Sequence, residues 1–245
     1  SGHTDVVPVD GQPWDTDPFV ATQQGDRVYG RGVADMKSYS ATGLALVPLF
    51  LERPLSKPLH FALSYDEEVG CVGVRRLIAD LPSRGIAPAG CIVGEPTGMR
   101  LVVAHKGKKS WRCRVRGHEA HSSLTPRGVT HISAMARRFR DGTRRDEASD
   151  VPYTTLHVGT IRGGTALNIV PRDCEFVFEV RHLPFDDPDA LFDEIRDYAQ
   201  TFVPAMRAVA PGAHIAFDSL STMPGFDTQD GSAIATLGHE LCCAA

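Results

Sequence analysis

A chain of 245 residues has room for one large α/β domain or two smaller ones. Hydrophobic residues at 42% and charged residues at 23% are the balance of a folded globular protein and exclude a disordered chain. A net charge of −4 gives no basis for nucleic acid or an anionic membrane as partner, and no apolar run nears the roughly 20 residues of a spanning helix. Cys71, Cys91, Cys113, Cys174, Cys242 and Cys243 form no CxxC pair, so a disulfide scaffold or zinc finger is not expected. Scattered thiols and the lack of a signal-peptide pattern fit a reducing cytoplasm. The chain opens at Ser1-Gly2-His3 in what reads as the exit of a strand, and stops at Leu241-Cys242-Cys243-Ala244-Ala245 inside a helical pattern, as a fragment of a longer polypeptide would.

In chain order, helical spacing covers Lys37 to Leu51, Pro58 to Ser64 reads as a strand, Val72 to Leu81 as a helix and Ala89 to Gly94 as a strand. Such alternation predicts an α/β unit with a mostly parallel sheet covered on both faces. From about His105 the texture changes. Lys109 to Val115 alternates as a strand with one exposed face, and Gly128 to Phe139 follows as a helix. Two β-rich runs come next, Thr154 to Ile161 and Glu175 to Arg181, joined through Gly163-Gly164. Ala190 to Val203 is an amphipathic helix and His214 to Phe217 a short strand. The order βαββαβ predicts a ferredoxin-like α+β unit over 105–220, inserted between 1–104 and a resumed segment 221–245.

Chemistry collects at the ends of these elements. In Gly2-His3-Thr4-Asp5, a histidine and a carboxylate two apart on an extended chain point to one side, so Asp5 can hold one imidazole nitrogen while the other faces a metal. Asp35 stands at a helix threshold after Gly30-Arg31-Gly32, where the plain alternative is an N-cap. Asp66-Glu67-Glu68 leaves an apolar strand, and adjacent glutamates can divide metal binding from proton transfer. Glu95 repeats the pattern of strand, acid and turn. Each of these residues alone reads as a solvated surface group or a cap. Together they recur about once per βα repeat, which brings them to one sheet edge. One histidine with several carboxylates suits zinc, and also cobalt or manganese. In the inserted unit, His121 could donate to a developing oxyanion, Asn168 ends a glycine-rich turn, and Arg181 could grip a carboxylate bidentately. Capping bonds and a surface ion pair are the plain alternatives for these three.

HTDVVP, GRGVADMK, YDEEVG, GEPT, GHEAHSS and GGTALNIVP followed by EVRHLP run in order over nearly the whole chain. They resemble the dinuclear-zinc metallopeptidase and deacylase family that includes acetylornithine deacetylase, succinyl-diaminopimelate desuccinylase, aminoacylase and carboxypeptidase G. WDTDPF and ADMKSYSA are nearest to its acetylornithine deacetylase members. The resemblance implies a catalytic domain interrupted by a lid that also forms a homodimer. It implies two Zn2+ per subunit, with Co2+ able to substitute. His3 and Glu95 would be terminal ligands, Asp35 a bridge, Glu68 a ligand of the second ion, Glu67 the general base and Asp5 the group orienting His3. His121 would reach the partner's active site, and Asn168 and Arg181 would hold the substrate. The implied reaction is amide hydrolysis of an N-acyl amino acid, N2-acetyl-L-ornithine to L-ornithine and acetate, as in arginine biosynthesis. A desuccinylase or aminopeptidase differs in pocket chemistry alone, and a non-catalytic dimerisation protein is the rival from another class. The Glu67-Glu68 pair counts against that rival, since a binding module needs no proton shuttle. The family's further metal histidine near its C-terminus has no counterpart after Phe217, and His239 falls on an apparent helix.

Overall fold

The computed structural model describes residues 1–117, 120–121, 128–142, 144–165, 169–229 and 231–243. The chain divides into one unit of Ser1–Val102 with Gln229–Ala245 and a second of Val103–Thr228. In the first unit, β1 (Gly2–His3) is followed by a hairpin of β2 (Thr22–Gln24) and β3 (Arg27–Tyr29). A wide turn over Val33–Lys37 leads into α1 (Ser38–Ala45) and α2 (Val47–Leu51). The single helix that the sequence predicts over 37–51 is therefore interrupted, because Pro48 occupies the first turn of α2 and cannot continue the hydrogen bonding of α1.

β4 (Leu63–Ser64) pairs parallel with β1, Gly2 facing Leu63 and His3 facing Ser64. The predicted strand from Pro58 shortens to these two residues. α3 (Val74–Asp80) follows. The predicted strand over 89–94 is not a regular one, yet it flanks β1 on the other side. Ser1 N–H donates to Ile92 O (2.6 Å) and Gly94 N–H to Ser1 O (3.2 Å), the parallel pattern in which one residue bonds both neighbours of the residue opposite. Three parallel segments thus lie side by side and end together.

The second unit opens with β5 (Ala104–His105) and β6 (Gly107–Arg116), then β7 (Ala120–His121), α4 (Gly128–Asp141), β8 (Thr155–Gly163), β9 (Ile169–Val170) and β10 (Asp173–His182). α5 (Pro188–Gln200), α6 (Val203–Val209), β11 (His214–Met223) and β12 (Phe226–Asp227) complete it. The main sheet is antiparallel with order β11-β6-β10-β8, the split βαβ arrangement of a ferredoxin-like fold. β11 continues past Phe217, where the sequence reading stops, and through position 220. Its polar run Asp218-Ser219-Leu220-Ser221-Thr222 carries no apolar alternation, and a register shift at Ser219/Ser221 breaks the period. β5 and β12 pair with each other, so the two connections to the first unit leave side by side. α7 (Ala233–Cys243) returns to the first unit. Among the described residues, no helix is long and apolar enough to cross a membrane.

Alternation sorts the two faces of the sheet. Trp111, Cys113, Phe176, Phe178 and Val180 are buried with Met135 of α4 and Leu191 and Ile195 of α5. Trp111 stacks on Phe192 at 4.6 Å and on Phe178 at 5.4 Å between centroids. The opposite face carries charge, with Arg116 on Asp173 at 2.8 Å and Arg112 facing Glu175 at 3.4 Å. α5 starts cleanly because Asp187 Oδ1 accepts the N–H of Asp189 (2.9 Å) and of Ala190 (3.3 Å), with Pro188 fixing the first turn. Removing that cap by Asp187→Ala should cost about 1 kcal/mol. Truncating the fully buried ring by Phe178→Ala should cost about 3–5 kcal/mol. Denaturant unfolding followed by Trp111 fluorescence measures both, and equal losses would contradict this assignment of cap and core.

Candidate metal centre

His3 ends β1 and is 2% exposed. Its Nδ1–H donates to the Asp5 carbonyl (3.0 Å), with Asp5 Oδ1 at 3.3 Å. Asp5 therefore fixes the ring through its backbone as well as its carboxylate, and Nε2 is left facing the cluster. Around Nε2 stand Asp35 Oδ1 at 3.0 Å, Glu67 Oε2 at 3.9 Å and Glu95 Oε1 at 4.0 Å. Asp5 Oδ2 accepts the Glu68 N–H at 3.0 Å and so ties the 66–70 turn to β1.

Each acid reaches the site for a local reason. Glu67 and Glu68 leave the end of β4, and Glu95 follows the segment beside β1. Gly94 permits that approach, because a Cβ there would stand 2.0 Å from the Tyr39 ring. Asp35 sits in the Val33–Lys37 turn with non-helical φ −117° and ψ 95°, so it is not a simple helix cap. The turn opens on Gly32 at φ 75°, where a side chain would also meet Val6 Cγ1 at 2.5 Å. Next to Asp35, the fully buried Met36 places Sδ 3.4 Å from the His3 N–H and seats the turn under β1.

The charges oppose one another. Burial alone would lower the His3 pKa, yet the Asp35 hydrogen bond and the charges of Glu67 and Glu95 outweigh it and hold it above the usual value. Glu95 is raised by burial and by the neighbouring Asp35 and Glu67. Burial would raise Asp5 too, but the N–H groups of Glu68 and Glu67 hold its carboxylate low. Cys71, which sequence reasoning passed over, donates its thiol to Glu67 Oε1 at 3.3 Å. Burial, the Glu67 hydrogen bond and the charges of Glu67 and Glu95 push that thiol up to about 11, so it is a protonated donor at neutral pH.

Two overlapping donor groups result, His3-Glu67-Glu68 and His3-Asp35-Glu95, each with its ligand atoms within 4.8 Å of one another. One imidazole among hard carboxylate oxygens fits a divalent cation such as zinc. The remaining candidates lie on the second unit. His121 is on β7, with its backbone opposite Ile169, and Arg181 is on β10, where its Nε donates to Glu179 Oε1 at 2.5 Å. Asn168 lies outside the described residues. His239 is exposed on α7 and belongs to neither donor group.

A pH dependence follows for the metal-free protein. Folded His3 holds its proton more tightly than the unfolded chain, so its contribution to stability is complete below pH 6.5 and is lost as pH rises through its higher folded value. Glu95 acts in the same sense from 4.5 upward. The thermal midpoint should therefore fall between about pH 6 and about pH 8, less steeply in His3→Gln and less steeply with zinc added. A midpoint that rises over this range only when His3 is present would contradict the geometry.

Residues 103–207 match the family described as a peptidase dimerisation domain, M20_dimer. Over 193 residues the chain is 36% identical to an acetylornithine deacetylase of Edwardsiella ictaluri, covering 75% of this chain and 50% of that one. Over 251 residues it is 32% identical to an acetylornithine deacetylase of Aliivibrio fischeri, covering 99% of this chain and 65% of that one. The chain thus spans half to just under two thirds of the length of these curated relatives. Its fold is that of the aminopeptidase PepT from Bacillus cereus, with a TM-score of 0.68 at 22% identity over 96% of this chain and 61% of that one. Residues 103–207 thus carry a match to the peptidase dimerisation domain, the chain is similar along nearly its whole length to acetylornithine deacetylases, and it shares its fold with an aminopeptidase.

Proposed function

We propose that this protein is a metal-dependent amidohydrolase that releases the acyl group of an N-acyl amino acid, with N2-acetyl-L-ornithine as substrate and L-ornithine and acetate as products. The observation that carries this reading is the buried His3 imidazole with Asp35, Glu67 and Glu95 converging on one nitrogen. The acetyl substrate is taken from the acetylornithine deacetylases that the chain resembles. His3, Asp35, Glu68 and Glu95 would hold two zinc ions, Asp35 between them, with cobalt able to substitute. Bound metal supplies Lewis acidity to water and to the amide carbonyl.

The side chains do the rest. Asp5 keeps His3 in the tautomer that leaves Nε2 free. Glu67 takes the proton of the attacking water and returns it to the leaving amine nitrogen. His121 donates to the oxyanion, and Asn168 and Arg181 hold the amino-acid carboxylate so that the scissile bond faces the cluster. A homodimer through the inserted unit is part of the proposal, supported by the dimerisation-domain match over residues 103–207.

Amine release from N-acetylornithine and from N-succinyl-diaminopimelate by the zinc-loaded protein tests the substrate, with the acetyl compound expected to be preferred. Glu67→Gln should lower turnover by about 10²- to 10⁴-fold while metal content stays constant. Loss of metal together with activity would make Glu67 a ligand. No hydrolysis of either amide with metal bound would overturn the amidohydrolase reading.

A further inference from the structure

We propose that Cys71 is a positioning residue for Glu67, holding one carboxylate oxygen so that the other is presented to the cluster. The inference rests on the reading of Glu67 as the proton-transferring base. Glu67 is bound by Cys71 twice. The Cys71 thiol donates to Oε1 at 3.3 Å, and the Cys71 N–H donates to the Glu67 carbonyl at 2.8 Å. Gly70 N–H reaches the same carbonyl at 2.8 Å, and Val72 N–H closes the turn on Asp66 O at 2.9 Å. With Oε1 engaged, it is Oε2 that faces His3 Nε2, at 3.9 Å.

The backbone at this position argues that the side chain is kept for a purpose. Cys71 has φ 55°, the left-handed region in which a Cβ is penalised and glycine is not. The residue before it, Gly70, has φ 109°, so the turn employs glycine where no side chain is needed. A strained non-glycine residue beside a reactive group points to a contact that its side chain makes. The chemistry of the contact is suited to a base. A carboxylate on a flexible stem must be oriented before it can take a proton. A lysine or arginine would orient it but would also neutralise it and compete with the metal for it. A thiol is a weak, uncharged donor that orients the carboxylate and leaves its charge available. Among the described residues, Cys71 belongs to neither metal-donor group, so its one polar side-chain partner in the site is Glu67.

The test compares Cys71→Gly and Cys71→Ser in the zinc-loaded protein, with Glu67→Gln as reference. Glycine relieves the backbone at φ 55°, so loss of folding is not the expected result. In Cys71→Gly, kcat should fall about tenfold with KM changed by no more than about twofold. Cys71→Ser, which keeps a donor, should recover most of that loss. If Glu67→Gln is inactive and Cys71→Gly turns over like the parent, the positioning role is overturned. If Glu67→Gln remains active, it is the base assignment that fails. A readout independent of turnover is the infrared S–H stretch that disappears in Cys71→Gly. In Glu67→Ala that band should move to higher wavenumber as the hydrogen bond is lost, and an unmoved band would overturn the proposal.

Discussion

At the ends of three parallel segments a buried imidazole meets four carboxylates, and the loops of the first unit are held in an arrangement that repels itself. Like charges about 4 Å apart cost about 4 kcal/mol each at an effective dielectric of 20, and less where water reaches them. Asp35 and Glu95 are 52% and 42% exposed, so their share is screened, whereas His3 at 2% has little water to lean on. The one favourable outcome available to these groups is a shared positive charge. In the metal-free protein that charge is the proton on His3, whose raised value is its signature, while Glu95 is raised by burial and by Asp35 and Glu67 against the pull of His3. A divalent ion satisfies the same demand more completely, because it can accept several oxygens at once.

Backbone geometry, more than side-chain attraction, brings these groups together. Parallel pairing sets Gly2 against Leu63 and Ser1 against Val93, so the residues that follow each segment emerge at a common edge. Asp35 arrives differently, from a turn whose entry demands Gly32 and whose floor is the buried Met36 beneath β1. The site is therefore built from main-chain register and two steric allowances, which explains how mutually repelling carboxylates can be held still.

Much of this was legible in the chain because each feature has a local signal. Alternation in Lys109–Val115 and Glu175–Arg181 marks the two central strands of the second unit, and the strand order follows from βαββαβ. The acids after apolar runs mark the edge where Glu67, Glu68 and Glu95 meet His3. What stayed hidden depends on contacts distant in sequence or on φ. The extension of β11 rests on backbone pairing of polar residues with β6, and hydrophobic patterning is blind to that. Met36 falls just before the helical spacing that begins at Lys37 and carries no signal of its own, and nothing in Cys71 as a letter announces a left-handed backbone or a bond to Glu67.

On the proposed reading, proton and metal would compete for one nitrogen, and Asp5 biases that contest. Its carbonyl occupies Nδ1, so the neutral ring carries its hydrogen there and offers the Nε2 lone pair inward. Asp5 itself is held ionised by the N–H groups of Glu68 and Glu67, so that orientation persists in acid after more weakly held carboxylates have begun to protonate. The first event at the site on acidification is then the capture of Nε2 by a proton, with the ring still held in place at Nδ1. A divalent ion held here as proposed would be lost by titration and without unfolding, and the site would be preorganised to take it back when the proton leaves.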